Sequence, residues 1–212
     1  MKAYKFRNAD QASFIFDILL NNRLFCSDVK MLNDAVEGVA AYTSHNNAKD
    51  SIQQIEIAKS QYRICSLSET YDCHLLWAHY ANGFSGVAIE LELPEDNKMI
   101  RKLNYDRGVF AGVNLSTPQN NDERAKNILF SKNMVWKYEK EIRILHTDTF
   151  FKDLKVTGVI AGCKMHPALF DTLNIFCQHL GIKFSKIGIG DEGMDLDYVE
   201  PKNFNQLVNK EN

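Results

Sequence analysis

Apolar and polar residues alternate with a period of two over several short stretches, and between them apolar residues recur at helical spacing. Residues 3–7 place Tyr4 and Phe6 on one face and Lys5 and Arg7 on the other, the pattern of a half-buried strand. Behind it Phe14, Ile15, Ile18 and Leu19 predict an amphipathic helix over about residues 11–21, with Asp10 as its N-cap. Residues 62–68 read as a strand with Ser66 and Ser68 on one face and Cys65 and Leu67 on the other. Residues 70–81 predict a short helix on which Trp77 and Tyr80, three apart, are neighbours, ended by Asn82-Gly83. A clear strand follows at 85–92, where Val87, Ile89 and Leu91 alternate with Ala88, Glu90 and Glu92. The stretch 136–145 reads as one strand, with Glu139, Glu141 and Arg143 on one face and Tyr138, Ile142 and Ile144 on the other.

The remaining segments complete the pattern. Residues 23–27 are a brief extended piece, and Asn33-Asp34 marks a turn. Residues 35–41 are expected to be helical, 44–50 are polar, and 51–60 return to helical spacing at Ile52 and Ile55. Strands are expected at 100–105 and 109–113, a loop at 115–121, and a helix capped by Asp122 and running to about Phe130. An apolar strand at 156–162 precedes a helix opened by Pro167 and closed by Gly181. A strand at 182–189, the acidic turn Asp191-Glu192-Gly193, a short strand at 197–199 and a polar, frayed tail from Asn203 follow. Many strands with helices set between them, mostly in antiparallel-looking alternation, define an α+β class with one domain spanning residues 1–212.

Composition narrows the function classes. The 212 residues are 45% hydrophobic, enough to bury a full core. A net charge of −2 gives no electrostatic case for a general nucleic-acid binder. No N-terminal apolar run resembles a signal peptide and no stretch is long enough to cross a bilayer, so a cytoplasmic protein without membrane contact is expected. The five cysteines are widely spread, form no CxxC and are expected to be reduced and mostly buried. Cys73-His74 with His79 lacks a second ligand pair, so no metal is expected.

Three polar strand faces occur in order: Arg7, then Ser66-Leu67-Ser68, then Glu139-Lys140-Glu141. This series resembles the arginine, S-x-S and E-x-E pattern of ADP-ribosyltransferases. The resemblance implies a split antiparallel β-sheet core with peripheral helices and NAD, as substrate, in its cleft. It implies Glu141 as the carboxylate that stabilises an oxocarbenium-like transition state, and Glu139 as the residue facing an acceptor, a protein or nucleic-acid nucleophile or water. It further implies that Ser66 and Ser68 orient Glu141 and the ribose, and that Arg7 pairs with the pyrophosphate. Trp77 and Tyr80 would then offer a stacking surface for nicotinamide or adenine.

A second resemblance runs along nearly the whole chain. Tyr4-Lys5-Phe6-Arg7, Cys65-Ser66-Leu67-Ser68-Glu69, Leu76-Trp77-Ala78-His79-Tyr80 and Trp136-Lys137-Tyr138-Glu139-Lys140-Glu141-Ile142-Arg143 carry it. They resemble a bacterial and phage family catalogued only as a domain of unknown function. That setting suggests a toxin or phage-defence effector. Plainer readings stand beside each residue. Arg7 pairs with Glu139 or Glu141 across a sheet, the serines are ordinary polar strand residues, and Trp77 and Tyr80 belong to a core or its edge. The alternatives to NAD glycosyl transfer are a non-catalytic ligand-binding or protein-interaction domain, and a hydrolase of another nucleotide.

Overall fold

The computed structural model describes residues 1–44, 48–108, 110–191 and 193–203. The chain is mixed α/β, with mainly antiparallel strand pairing and peripheral helices. It forms two compact units, each assembled from separated segments. The first comprises Met1–Arg23, Ser68–Pro94 and the chain from Asp153 onward; the second comprises Leu24–Leu67 and Glu95–Lys152.

The first unit is built on five strands in the order Gly193–Tyr198, Lys183–Gly190, Lys155–Ala161, Val87–Glu92, Lys2–Arg7. Neighbours are antiparallel except Lys155–Ala161 and Lys183–Gly190, which run parallel and are joined through the helix Pro167–Leu180. A parallel pair needs such a crossover, and a helix supplies it. In register, Phe6 faces Ala88 and Ala88 faces Ile160. These residues with Tyr4 and Ile187 make one apolar sheet face, covered by Leu76, Trp77 and Ala81 from the helix His74–Tyr80 and its C-cap. Ala3, Ile89, Leu91 and Val159, of opposite strand parity, are also buried, as are Ile15, Ile18 and Leu19 of the helix Ala12–Asn21. That helix touches Pro167–Leu180 through an edge-on Phe16–Phe176 ring contact at 5.2 Å. Burial on both faces accounts for the unbroken apolar run Val87-Ala88-Ile89 that opens the strand Val87–Glu92.

Among the described residues, the second unit has two apolar cores. Arg63–Ser68, Glu141–His146 and Ile100–Lys102 lie side by side in that order, with Ser27–Asp28 pairing the first of them (Ser68, its last residue, groups with the first unit). Tyr62, Ile64, Leu103, Leu129, Phe130 and Leu145 pack together there. The helices Lys49–Ser60 and Asn121–Leu129 meet through Ile55, Ala125 and Ile128, against the parallel strands Ala40–Thr43 and Ala111–Asn114.

Most expected elements are present within a residue or two, and the departures have local causes. Residues 136–145 are not one strand. Met134–Glu139 is a 3₁₀ helix, capped where the Asn133 side chain accepts the Val135 N–H, and Lys140 takes a left-handed conformation at φ 43°. The strand begins only at Glu141. Residues 35–41 are not helical; the Asp34 side chain accepts the Val36 N–H in a turn, and the chain becomes extended at Ala40–Thr43. The expected strand at 100–105 divides in two, because the Leu103 N–H goes to the Glu141 carbonyl and the Asn104 N–H goes to that of Phe130. Asn120, not Asp122, caps the helix that follows, accepting the Glu123 N–H at 2.7 Å. The last strand is longer than its expected 197–199, pairing as Gly193–Tyr198 with Lys183–Gly190. Val109, Glu192 and the tail beyond Asn203 lie outside the described residues.

Candidate functional site

The second unit gathers five charged side chains, four from residues 132–143 and one, Glu37, from far upstream. Glu141 and Arg143 share one face of the strand Glu141–His146, as period two requires. The Arg143 Nε donates to Glu141 Oε1 at 2.9 Å, and Nη1 donates to the Leu129 carbonyl at 2.5 Å. Leu129 ends the helix Asn121–Leu129, so the guanidinium satisfies a carbonyl left open by the helix terminus. Arg143 Nη2 also pairs with Glu37 Oε1. Lys132, on the short strand Ser131–Asn133, donates to Glu139 Oε2 at 2.6 Å and to Glu141 Oε2 at 2.8 Å. Its ammonium also lies 3.8 Å from Glu37 Oε2. Glu37 precedes Gly38, whose carbonyl accepts from the buried Lys59 ammonium at 2.7 Å, so that segment is fastened in place.

These side chains are almost wholly removed from water: Lys132 is 7% exposed, Glu37 4%, Glu139 6%, Glu141 2% and Arg143 0%. Three carboxylates thus face two cations. Burial pushes the Glu141 carboxyl above the ordinary glutamate range, against the pull of Lys132 and of a hydrogen bond from the Ser66 hydroxyl. Burial alone would lower Lys132, but the adjacent Glu141 and Glu139 more than offset it and hold the ammonium above the usual lysine range. Burial brings Arg143 down to about 9, which leaves it a cation at neutral pH. The Tyr105 hydroxyl accepts the Glu141 N–H at 2.8 Å, and burial pushes that phenol up to about 12.

A cleft enclosing about 320 Å³, open solvent included, borders this cluster at Glu37 and Lys132. Asp34, Asp106, Phe110 and Asn133 complete much of its wall. The Lys132 ammonium lies 5.3 Å from the Trp136 ring centroid.

Of the expected site residues, Ser66, Glu139 and Glu141 belong to this unit. The Glu139 carboxylate is buried against the Lys132 ammonium. Arg7, Ser68, Trp77 and Tyr80 belong to the first unit. Arg7 is half-buried with its guanidinium 6.0 Å from the Phe14 ring centroid. Ser68 is buried, lies in register with Tyr4, and accepts the Thr70 N–H at 3.2 Å. Trp77 offers no surface for stacking a ligand, which corrects that expectation. It is fully buried, parallel to Phe84 at 5.7 Å and edge-on to Phe6 at 5.2 Å, and its Nε1 donates to the Tyr71 carbonyl. Tyr80 packs, half-buried, against the same core.

Sequence reasoning passed over Lys132, Glu37 and Tyr105. Lys132 sits between Ser131 and Asn133 in a polar run, and Glu37 follows a turn; neither has a periodic context that marks it for burial. Among the described residues no group of three or more His, Cys, Asp and Glu side chains has the arrangement to hold a metal ion, and no helix is long and apolar enough to cross a membrane. All five cysteines are free; Cys26, Cys65 and Cys177 are buried and Cys73 and Cys163 partly so.

A family described as a protein of unknown function (DUF2971) has a model that matches residues 76–144, a span that includes Lys132, Glu139, Glu141 and Arg143. No curated protein and no solved structure matches the chain.

Proposed function

We propose that the chain consumes NAD, cleaving the nicotinamide–ribose bond and passing ADP-ribose to a macromolecular nucleophile, a protein or nucleic acid, or to water. The observation that carries this reading is the hydrogen bond from Ser66 to Glu141. It joins the serine of the S-x-S strand to the second glutamate of E-x-E, the pairing that the ADP-ribosyltransferase resemblance implies.

In this chemistry the bond between the anomeric carbon and the nicotinamide nitrogen breaks, and its electron pair leaves with nicotinamide. The positive charge left on the ribose is favoured by a nearby carboxylate that accepts from a ribose hydroxyl. Glu141 has that role. The incoming nucleophile bonds to the anomeric carbon and releases its proton to a base, for which Glu139 is the adjacent carboxylate. Both oxygens of Glu141 are already engaged, Oε1 by Arg143 and Oε2 by Lys132. Binding a ribose hydroxyl therefore requires that one of those contacts be shared.

A second reading is favoured by that same saturation: the cluster is a buried ion-pair core of a non-catalytic ligand-binding or interaction domain. Incubation with NAD, following free nicotinamide, separates the two. Turnover in the wild type with loss in Glu141→Gln supports NAD cleavage. Neither turnover nor NAD binding in the folded wild type removes it in favour of the interaction domain. Unchanged turnover in Glu141→Gln removes the role given to Glu141.

A further inference from the structure

The two glutamates of Glu139-Lys140-Glu141 converge on a residue outside their own segment. Glu139 closes a 3₁₀ helix, Lys140 reverses the local twist at φ 43°, and Glu141 opens a strand, so no strand periodicity relates the two carboxylates. What brings them together is the Lys132 ammonium, 2.6 Å from Glu139 Oε2 and 2.8 Å from Glu141 Oε2. Lys132 is itself held in register by the parallel pairing of Ser131–Asn133 with Asn104–Asp106, where it sits opposite Tyr105, the residue whose hydroxyl accepts the Glu141 N–H. It also borders the cleft, as Glu37 does, whereas Glu139 and Glu141 do not.

We propose that Lys132 is a positioning residue for Glu139 and Glu141: its ammonium holds both carboxylates together, and it is the member of the trio that a ligand in the cleft meets. The chemistry so served rests on the NAD reading; the electrostatic role belongs to the folded protein alone. The groups facing Glu141 are Lys132, Glu139, Arg143, Ser66 and Tyr105, with Glu37 reaching it through Arg143. Without Lys132, Glu37 and Glu141 would share Arg143, and Glu139 would lose the ammonium 2.6 Å from its Oε2. An opposite charge at this range lowers a carboxylate pKa by about one to three units, and its removal reverses that effect.

The test is a carbon-13 NMR titration of protein labelled at the glutamate carboxyls, with the Glu141 signal identified by its loss in Glu141→Gln. In Lys132→Met the Glu141 midpoint is expected to rise by about one to three units, and Lys132→Arg is expected to return most of that shift. In Lys132→Ala, methylammonium entering from the cleft is expected to move the midpoint back toward the wild-type value. An unchanged midpoint in Lys132→Met or Lys132→Ala overturns the inference. Should neither neutral variant fold, the unmodified protein decides: the Lys132 ¹⁵Nζ signal is expected to step at the Glu141 midpoint, and the absence of a step overturns the proposal. Nicotinamide release is followed in parallel. Turnover with no midpoint shift removes the role of Lys132 and leaves the NAD reading. A midpoint shift in a protein that neither binds nor cleaves NAD leaves Lys132 as the organiser of the carboxylates and removes the NAD reading.

Discussion

The Arg143 guanidinium donates from Nε to Glu141 Oε1 at 2.9 Å, two residues back on the same strand. The pair is wholly buried, and each partner has another oppositely charged neighbour: Glu37 for Arg143, Lys132 for Glu141. A same-strand pair on a solvated surface contributes little. Here neither charge has water to fall back on.

Removal of Arg143 therefore leaves three buried carboxylates, Glu37, Glu139 and Glu141, facing one cation, Lys132. Arg143→Met is expected to destabilise the protein by about 3–5 kcal/mol. Urea unfolding measures this, and Arg143→Met combined with Glu141→Gln should cost less than the sum of the two single changes. Strict additivity would show that the pair is not coupled.

Glu141 should also give stability a pH dependence. Burial raises its carboxyl, so the folded state holds that proton more tightly than the unfolded chain does. The contribution is fully present below the unfolded glutamate value, about 4.3, and is lost as pH rises through the higher folded value. The urea midpoint of Glu141→Gln should therefore decline less than that of the wild type as pH rises above about 4.3.

Glu90, in the first unit, should behave oppositely. Burial would raise it, but hydrogen bonds from Thr157 at 2.8 Å, Lys2 at 3.1 Å and Tyr4 at 3.3 Å together bring it below the ordinary range. Its contribution is present above the unfolded value and is lost as pH falls through the folded one. Glu90→Gln should flatten the acid limb of the stability profile. An acid limb identical to wild type would remove Glu90 from it.

Trp77 is a core residue, not a stacking platform. Trp77→Ala is expected to cost about 3–5 kcal/mol, and Trp77→Phe less, because it keeps a ring against Phe84 but loses the bond to the Tyr71 carbonyl. Any NAD affinity found for the wild type should survive in a folded Trp77→Phe, as isothermal titration would show.

Gly86 lets two segments approach where no side chain fits. A Cβ there would stand 2.1 Å from the Arg7 carbonyl oxygen and 3.0 Å from the Ala81 Cα. Gly86→Ala should destabilise by about 1–3 kcal/mol, read as a lowered urea midpoint.

What was legible in the sequence followed from one-sided burial. Tyr4 and Phe6 against Lys5 and Arg7, Ile15, Ile18 and Leu19 along a helix, and the run at Val87–Leu91 each announce an element, because alternation and helical spacing are local properties of the chain. The same-face relation of Glu141 and Arg143 was legible for that reason. The placement of Glu139 was not, since a single left-handed residue, Lys140, cancels the parity on which the expectation rested.

The sequence by itself determined the class of fold, the main elements and the Glu141–Arg143 pair. Tertiary structure alone decided which other charges join them. Lys132 lies in the short polar run Ser131–Asn133 and Glu37 between Val36 and Gly38, and neither local pattern differs according to whether the charge ends in solvent or in a buried cluster. Only partners brought in by other elements of the fold offset the cost of removing such a charge from water, and neither composition nor spacing encodes that meeting.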